Sequence, residues 1–367
     1  MDDAQLAAAH DMYAADGHLH GVRSYVESTV GYPNPTDSQL LLAIGTHGWR
    51  VGSNLGDQSY QRRMARQGRP MPRLGARGSL SPTGSPAPAR VSTARRFGIE
   101  VEFNSGTRGT YYRSNDAQQA DVVADMVAKG IPSYMESHYT HAVPTSWKMT
   151  NDCTVTGGEF VSPILRVDDA GLNEVREAIR SIKAAGGAAG QGQGLHVHHD
   201  VTDFSQDDMG RLVRNLRNAE RAILAYVPQY RYNGTGRCRA NLISDQAWAR
   251  YERAVQSGEL APMANRAGRD HWNRYVSFNF CAVLVQGTVE FRALGNSLNP
   301  IKVRAWIELG SALVCWTKDG GTFTDRQSPE SLVTTLVASG HLSGEAARVY
   351  RAEVTRRHGS DALNVAA

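Results

Sequence analysis

The chain has 367 residues, of which 41% are hydrophobic and 21% charged, with a formal net charge of +4. This is the composition of a globular protein. It excludes wholesale disorder and a fibrous repeat, and the length suits two or three domains, or one large domain with an appendage. The charge is unevenly spread: between Gln58 and Ile99 there are nine arginines and no Asp, Glu or Lys, so that stretch carries +9 and the remainder −5.

Residues 1–58 read as a small helical unit. Leu6, Ala9, Met12 and Tyr13 fall at helical spacing, a second helical segment is expected near Val22 to Val30, and Gly31-Tyr32-Pro33-Asn34-Pro35 breaks it. Thr36 with Gln39 forms a capping-box pattern for a third segment, Gln39 to Ile44. Short helices around a tight break are compatible with a helix-turn-helix, and equally with a generic small bundle. The chain opens with Asp2 and Asp3 rather than a basic stretch before an apolar core, and it holds no run of about 18 apolar residues. No secretory signal, transmembrane helix or membrane partner is therefore expected, and the expected location is cytoplasmic. Residues 59–94 read as an Arg-, Pro- and Gly-rich linker, with Pro70, Pro72, Pro82, Pro86 and Pro88 and no apolar periodicity. The arginines of segment 62–96 could contact nucleic acid by counterion release, or form a solvated tether. Cys153, Cys238, Cys281 and Cys315 form no Cys-x-x-Cys pair, which disfavours a zinc knuckle or a disulfide framework.

From Arg95 strand-like and helical runs alternate. Helices are expected over Leu172 to Ala185, Asp207 to Tyr226 and Ile301 to Trp316. Three strands carry their charge on one face, because successive side chains of a strand point to opposite sides. Glu100 and Glu102 lie opposite Ile99, Val101 and Phe103; His196 and His198 lie opposite Leu195 and Val197; Glu290 and Arg292 lie opposite Val289 and Phe291. A fourth segment places Glu159 opposite Phe160. Any one of these could be a half-exposed edge. Side by side they would gather four carboxylates, two imidazoles and a guanidinium, and crowded carboxylates repel one another unless a cation relieves them. Mostly oxygen ligands with an occasional imidazole suit Mg²⁺ or Mn²⁺ better than zinc.

Four motifs in order, GIEVEF at 98–103, GGEFVSP at 157–163, GLHVHHD at 194–200 and GTVEFR at 287–292, span the region from Arg95 to Leu313. In this region the chain resembles the amidoligase family, within the glutamine synthetase and glutamate–cysteine ligase superfamily of carboxylate–amine ligases. GLHVHHD is similar to the Gly-x-His-x-His strand of glutamine synthetases. The resemblance implies an α+β catalytic domain over 95–367, a curved antiparallel sheet with helices on its outer face and ATP and two or three divalent ions on its concave face. By motif position it implies Glu100, Glu102, Glu159, His196 and Glu290 as metal ligands, Glu159 joining Glu102, and His196 and Glu290 joining Glu100. It implies Arg292 as a phosphate contact and, with Glu290, a catalytic residue, and Asp152 as a catalytic carboxylate, although the family's Asp-Gly-Ser turn reads Asp152-Cys153-Thr154 here. His198, Arg231 and Arg274 are further expected contacts to nucleotide or substrate, with Arg237 and Arg239 as alternatives, and His199 is expected to be structural. The implied reaction transfers the γ-phosphate of ATP to a small-molecule, amino-acid or peptide carboxylate, and an amine then displaces phosphate to form an amide. A metal-dependent hydrolase built on His196 and His198 is one alternative; a non-catalytic nucleic-acid-binding or assembly protein working through the N-terminal region is another.

The linker separates residues 1–58 from the rest, so residues 95–367 are expected to melt cooperatively on their own. An aggregated or unfolded fragment in a calorimetric scan would make the helical unit part of the core.

Overall fold

The computed structural model describes residues 8, 19–28, 95–106, 116–136, 143–152, 155–232, 242–258, 276–295 and 297–365. Of the expected N-terminal segments, the second is described, as α1 (Leu19–Ser28). The first and third, Ala8 apart, and the linker over 59–94 lie outside the described residues.

Within the described residues, nine strands form one mostly antiparallel, open sheet. They are β1 (Arg96–Ser105), β2 (Ser133–Met135), β3 (Trp147–Thr150), β4 (Gly158–Val161), β5 (Leu165–Arg166), β6 (Gly187–Ala188), β7 (Leu195–Asp200), β8 (Phe278–Asn279) and β9 (Thr288–Phe291). The order across the sheet is β2-β3-β4-β1-β7-β9-β8, with β5 and β6 pairing the two ends of β1, and only β2–β3 is parallel. The four charged segments read from the sequence thus become four adjacent strands, β4-β1-β7-β9.

The helices after α1 are α2 (Asp116–Ala128), α3 (Asp169–Ala184), α4 (Gln206–Leu224), α5 (Asp245–Ser257), α6 (Cys281–Gln286), α7 (Pro300–Lys318), α8 (Pro329–Ala338) and α9 (Gly344–His358). The three helices expected from apolar periodicity are α3, α4 and α7. Their ends are set by capping: Asp168 accepts from the N–H of Gly171, Ser205 and Asp208 form a reciprocal capping box, and Asn299 accepts from the N–H groups of Ile301 and Lys302. Within the described residues no helix is long and apolar enough to cross a membrane. Glu308, which interrupts the apolar run of α7, is held by Arg304 Nε at 2.7 Å and by the Ser343 hydroxyl at 2.5 Å.

One face of the sheet is apolar. Val101 pairs with Phe160, Ile99 with Val197, and Val197 with Phe291, all buried. Helix α7 packs on α3, α4 and β7. His199 points into this face, as expected: it is fully buried, sits edge-on to Phe291 at 4.9 Å, and burial drives its pKa down to about 3, so it is a neutral core side chain. Two arginines of the basic stretch are corrected by the structure. Arg95 donates to Asp203 at 2.5 Å and Arg96 pairs with Asp200 at 2.7 Å, so they fasten the start of β1 to the end of β7 and the segment just after it, and are not part of a basic arm. The arginines from Arg62 to Arg90 lie outside the described residues.

At Gly310 helix α7 comes close to β7: a β-carbon there would lie 2.2 Å from Nε2 of His199. Alanine is favoured over glycine in a helix by about 1 kcal/mol, but overpacking a core costs about 1–3 kcal/mol. Gly310→Ala is therefore expected to lower the melting temperature, by about 2–4 °C for each kcal/mol lost. A higher melting temperature would show that His199 can give way.

Candidate active site

Directly opposed residues on neighbouring strands point to the same face. Glu102 opposes Glu159, Glu100 opposes His196, His198 opposes Glu290, and Glu290 opposes Asn279. Glu100, Glu102, Glu159, His196, His198 and Glu290 therefore share the face away from α7, and His199 alone of the motif acids and imidazoles turns toward it. The apolar alternation fixes this arrangement, since a one-residue slip of any strand would bury its carboxylates in the core and expose its valines and phenylalanines.

The groups are close. His196 lies between the acids, Nδ1 at 3.1 Å from Glu100 and 3.7 Å from Glu290, and Nε2 at 3.9 Å from Glu102. His198 Nε2 is 3.5 Å from Glu100 and 4.0 Å from Glu290, and its Nδ1 is 3.0 Å from the Thr288 hydroxyl. Arg292 donates to Glu290 at 2.5 Å. Gly194 explains the glycine of its motif: a β-carbon there would lie 2.4 Å from Nε2 of His196, and its N–H donates to Glu102 at 2.6 Å. Glu102, Glu159, His196 and Glu290 are buried, and Glu100 is half-buried.

Charge is shared unequally among the acids. Burial opposes ionisation of Glu100, but hydrogen bonds with His196 and His198 outweigh it and hold the carboxyl well below the usual range. Burial likewise acts on Glu290, and Arg292, His198 and His196 overcome it. Burial disfavours the charged form of His198, yet Glu290 and Glu100 raise its pKa. Glu159 has no such support. Burial, then the charges of Glu100, Glu102 and Asp152, push its carboxyl well above the usual range. Without a cation the Glu159 carboxyl is therefore biased toward its protonated form.

Ligand atoms converge in two overlapping groups, Glu100–His196–Glu290 and Glu102–Glu159–His196, each within 4.8 Å. Carboxylate oxygens with one imidazole fit Mg²⁺ or Mn²⁺. His198 belongs to neither group and instead braces Glu100 and Glu290. Asp152 lies just beyond β3, near enough for its charge to act on Glu159.

Arg231 is placed differently from the expectation of a phosphate contact. It is 1% exposed, and its guanidinium donates to the carbonyls of Gln193, Arg292, Ala293 and Leu294 at 3.1–3.4 Å. It braces the start of β7 against the end of β9. Arg274, with Arg237 and Arg239, lies outside the described residues.

Several site-facing residues were not read from the sequence. Asn279 donates to Glu290 at 2.5 Å, and Thr288 holds His198. Lys148 and Thr150 of β3 also share this face, Lys148 paired with Glu136 at 3.1 Å. The alternation Ser277-Phe278-Asn279-Phe280 was a signal for Asn279, but β8 is only two residues long and depends on tertiary support. Glu220 of α4 provides that support, accepting from the Ser277 hydroxyl, the Ile243 N–H and the Trp248 ring N–H.

Residues 93–314 match the model of a family described as "putative amidoligase enzyme". The match begins just before β1, ends within α7, and contains all four motifs. The chain belongs to this amidoligase family. No curated protein matches it. Membership supports a ligase-type function for the amidoligase region, and it covers every acid and histidine of the two ligand groups.

A cation on this face should stabilise the fold, because it relieves repulsion that exists only in the folded state. At a free Mg²⁺ concentration 100 times Kd the gain is about 2.7 kcal/mol, or about 5–10 °C. The gain should shrink as pH falls, since a proton competes for the raised carboxyl of Glu159. Glu159→Gln should melt no lower than the parent without cation and should lose most of the cation-dependent rise. Equal rises in parent and variant, measured by thermal unfolding at graded Mg²⁺ and pH, would place the cation elsewhere.

Proposed function

We propose that the protein is an ATP-dependent carboxylate–amine ligase of glutamine synthetase-like fold, using Mg²⁺ or Mn²⁺ and acting in the cytoplasm. The single observation that carries this reading is the pair of overlapping carboxylate–imidazole groups on one sheet face, with the Arg292 guanidinium beside them. The family match and the antiparallel sheet, polar on one face and helix-covered on the other, support it.

In this reading Glu100, Glu290 and His196 hold one cation and Glu102 and Glu159 a second. A neutral imidazole has a lone pair on only one nitrogen, so His196 ligates one cation and donates its N–H toward the other group. Divalent ions bound there would neutralise the triphosphate and polarise the transferring phosphoryl group. The chain's own residues orient and select. Arg292 offers a planar fork suited to phosphate oxygens, and in the absence of ligand Glu290 holds that fork in place. Asp152, at the β3 end of the face, is suited to meet the incoming amine and accept its proton. The substrates are a carboxylate, activated as its acyl phosphate, and an amine that attacks the acyl carbon while phosphate leaves. A hydrolase would use the histidines, but it gives no role to the Glu290–Arg292 pair and would not release ADP.

Glu290→Gln and Arg292→Lys should both strongly reduce ADP formation from ATP with a mixed pool of carboxylates and amines. Glutamine removes the charge that holds a cation, so nucleotide binding should weaken and excess Mg²⁺ should partly restore it. Lysine keeps the charge but loses the fork, so the maximal rate should fall while ATP binding stays near the parental value. If both variants turn over ATP like an active parent, this strand is not the phosphoryl-transfer site.

A further inference from the structure

With His196 ligating the cation of the other group, Glu102 and Glu159 offer two ligand atoms to this one. Mg²⁺ and Mn²⁺ prefer about six, and Mg²⁺ keeps several waters when it binds protein. The remaining positions around a cation there belong to waters or substrate oxygens, and in a buried site each bound water needs an acceptor for its protons.

One buried acceptor stands ready. Thr150 opposes Glu159 across β3 and β4, as Glu159 opposes Glu102 across β4 and β1, so the three lie in a row on the site face. Thr150 is 2% exposed, and its hydroxyl oxygen has no hydrogen-bond partner among the described residues. Hydroxyls buried without a partner are uncommon and costly, which marks this one as open to a group from outside the described residues. A threonine oxygen has two lone pairs, and it can accept from a metal-bound water without adding charge to a face that already gathers four carboxylates. Lys148, the other β3 residue on this face, is engaged by Glu136 on the β2 side, which leaves Thr150 as the β3 group beside the acids.

Resting on the cation reading above, we infer that the Thr150 hydroxyl accepts a hydrogen bond from a water of the cation held by Glu102 and Glu159. Thr150 is then a positioning residue for that ion's hydration shell. It acts through the water, and it sets how the remaining coordination positions are presented to substrate.

The test uses the full chain and Mn²⁺ alone, with free Mn²⁺ followed by electron paramagnetic resonance and stability by thermal unfolding. Thr150→Val keeps the shape and removes the hydroxyl. Without cation it should melt at or above the parental temperature, because an unpaired buried hydroxyl has gone, while its Mn²⁺ affinity falls about five- to tenfold. Thr150→Ser should bind within about twofold of the parent. Parental Mn²⁺ affinity in Thr150→Val overturns the inference. So does a cation-free Thr150→Val protein that melts well below the parent, since the hydroxyl would then be bonded within the fold. Should Thr150→Val fail to fold, Thr150→Ala against Thr150→Ser gives the same comparison. If the parent itself takes up no Mn²⁺, the cation reading fails and this inference with it; a parent that binds while the variants match it removes the inference alone.

Discussion

The structure depends on holding four carboxylates together on one largely buried face. Glu100, Glu102, Glu159 and Glu290 would drive their strands apart if all were charged and uncompensated. Three devices prevent this in the cation-free fold. His196 and His198 sit between the acids, Arg292 neutralises Glu290, and the Glu159 carboxyl is biased toward its protonated form. The strands cannot escape by slipping, because their other face is locked into the core by residues such as Val101, Phe160, Val197 and Phe291. The hydrophobic face fixes the position of the charged one.

Much of the site was legible because strand alternation is a local rule. GIEVEF and TVEF declare two faces whatever surrounds them, and the four strands proved adjacent in the sheet. Helices α3, α4 and α7 were legible for the same reason, their apolar stripes and polar caps being encoded within a few turns. Register was not legible. Nothing local says that Glu102 opposes Glu159 and not Val161, a two-residue shift that keeps the same faces, yet that choice decides which acids can share a cation.

Short or buried elements also escaped. Strand β8 has two residues and relies on Glu220 from a distant helix, so Asn279 carried only a faint signal. Arg231 shows the converse. Arginines near a candidate phosphate site invite a catalytic role, but whether a guanidinium faces ligand or backbone depends on which carbonyls the fold brings to it. Here four carbonyls from the ends of β7 and β9 take it inward, and the site gains a fixed frame. In the proposed chemistry that division of labour places one arginine on phosphate and another behind the strand that carries it.

Anomalous diffraction from crystals saturated with Mn²⁺ tests the central claim most directly. The account predicts density on this sheet face in one or both of the two ligand groups, bounded by Glu100, His196 and Glu290 and by Glu102 and Glu159, with ligand distances of about 2.0–2.6 Å. A saturated crystal with no anomalous density on that face, its carboxylates still paired with His196, His198 and Arg292, would contradict it.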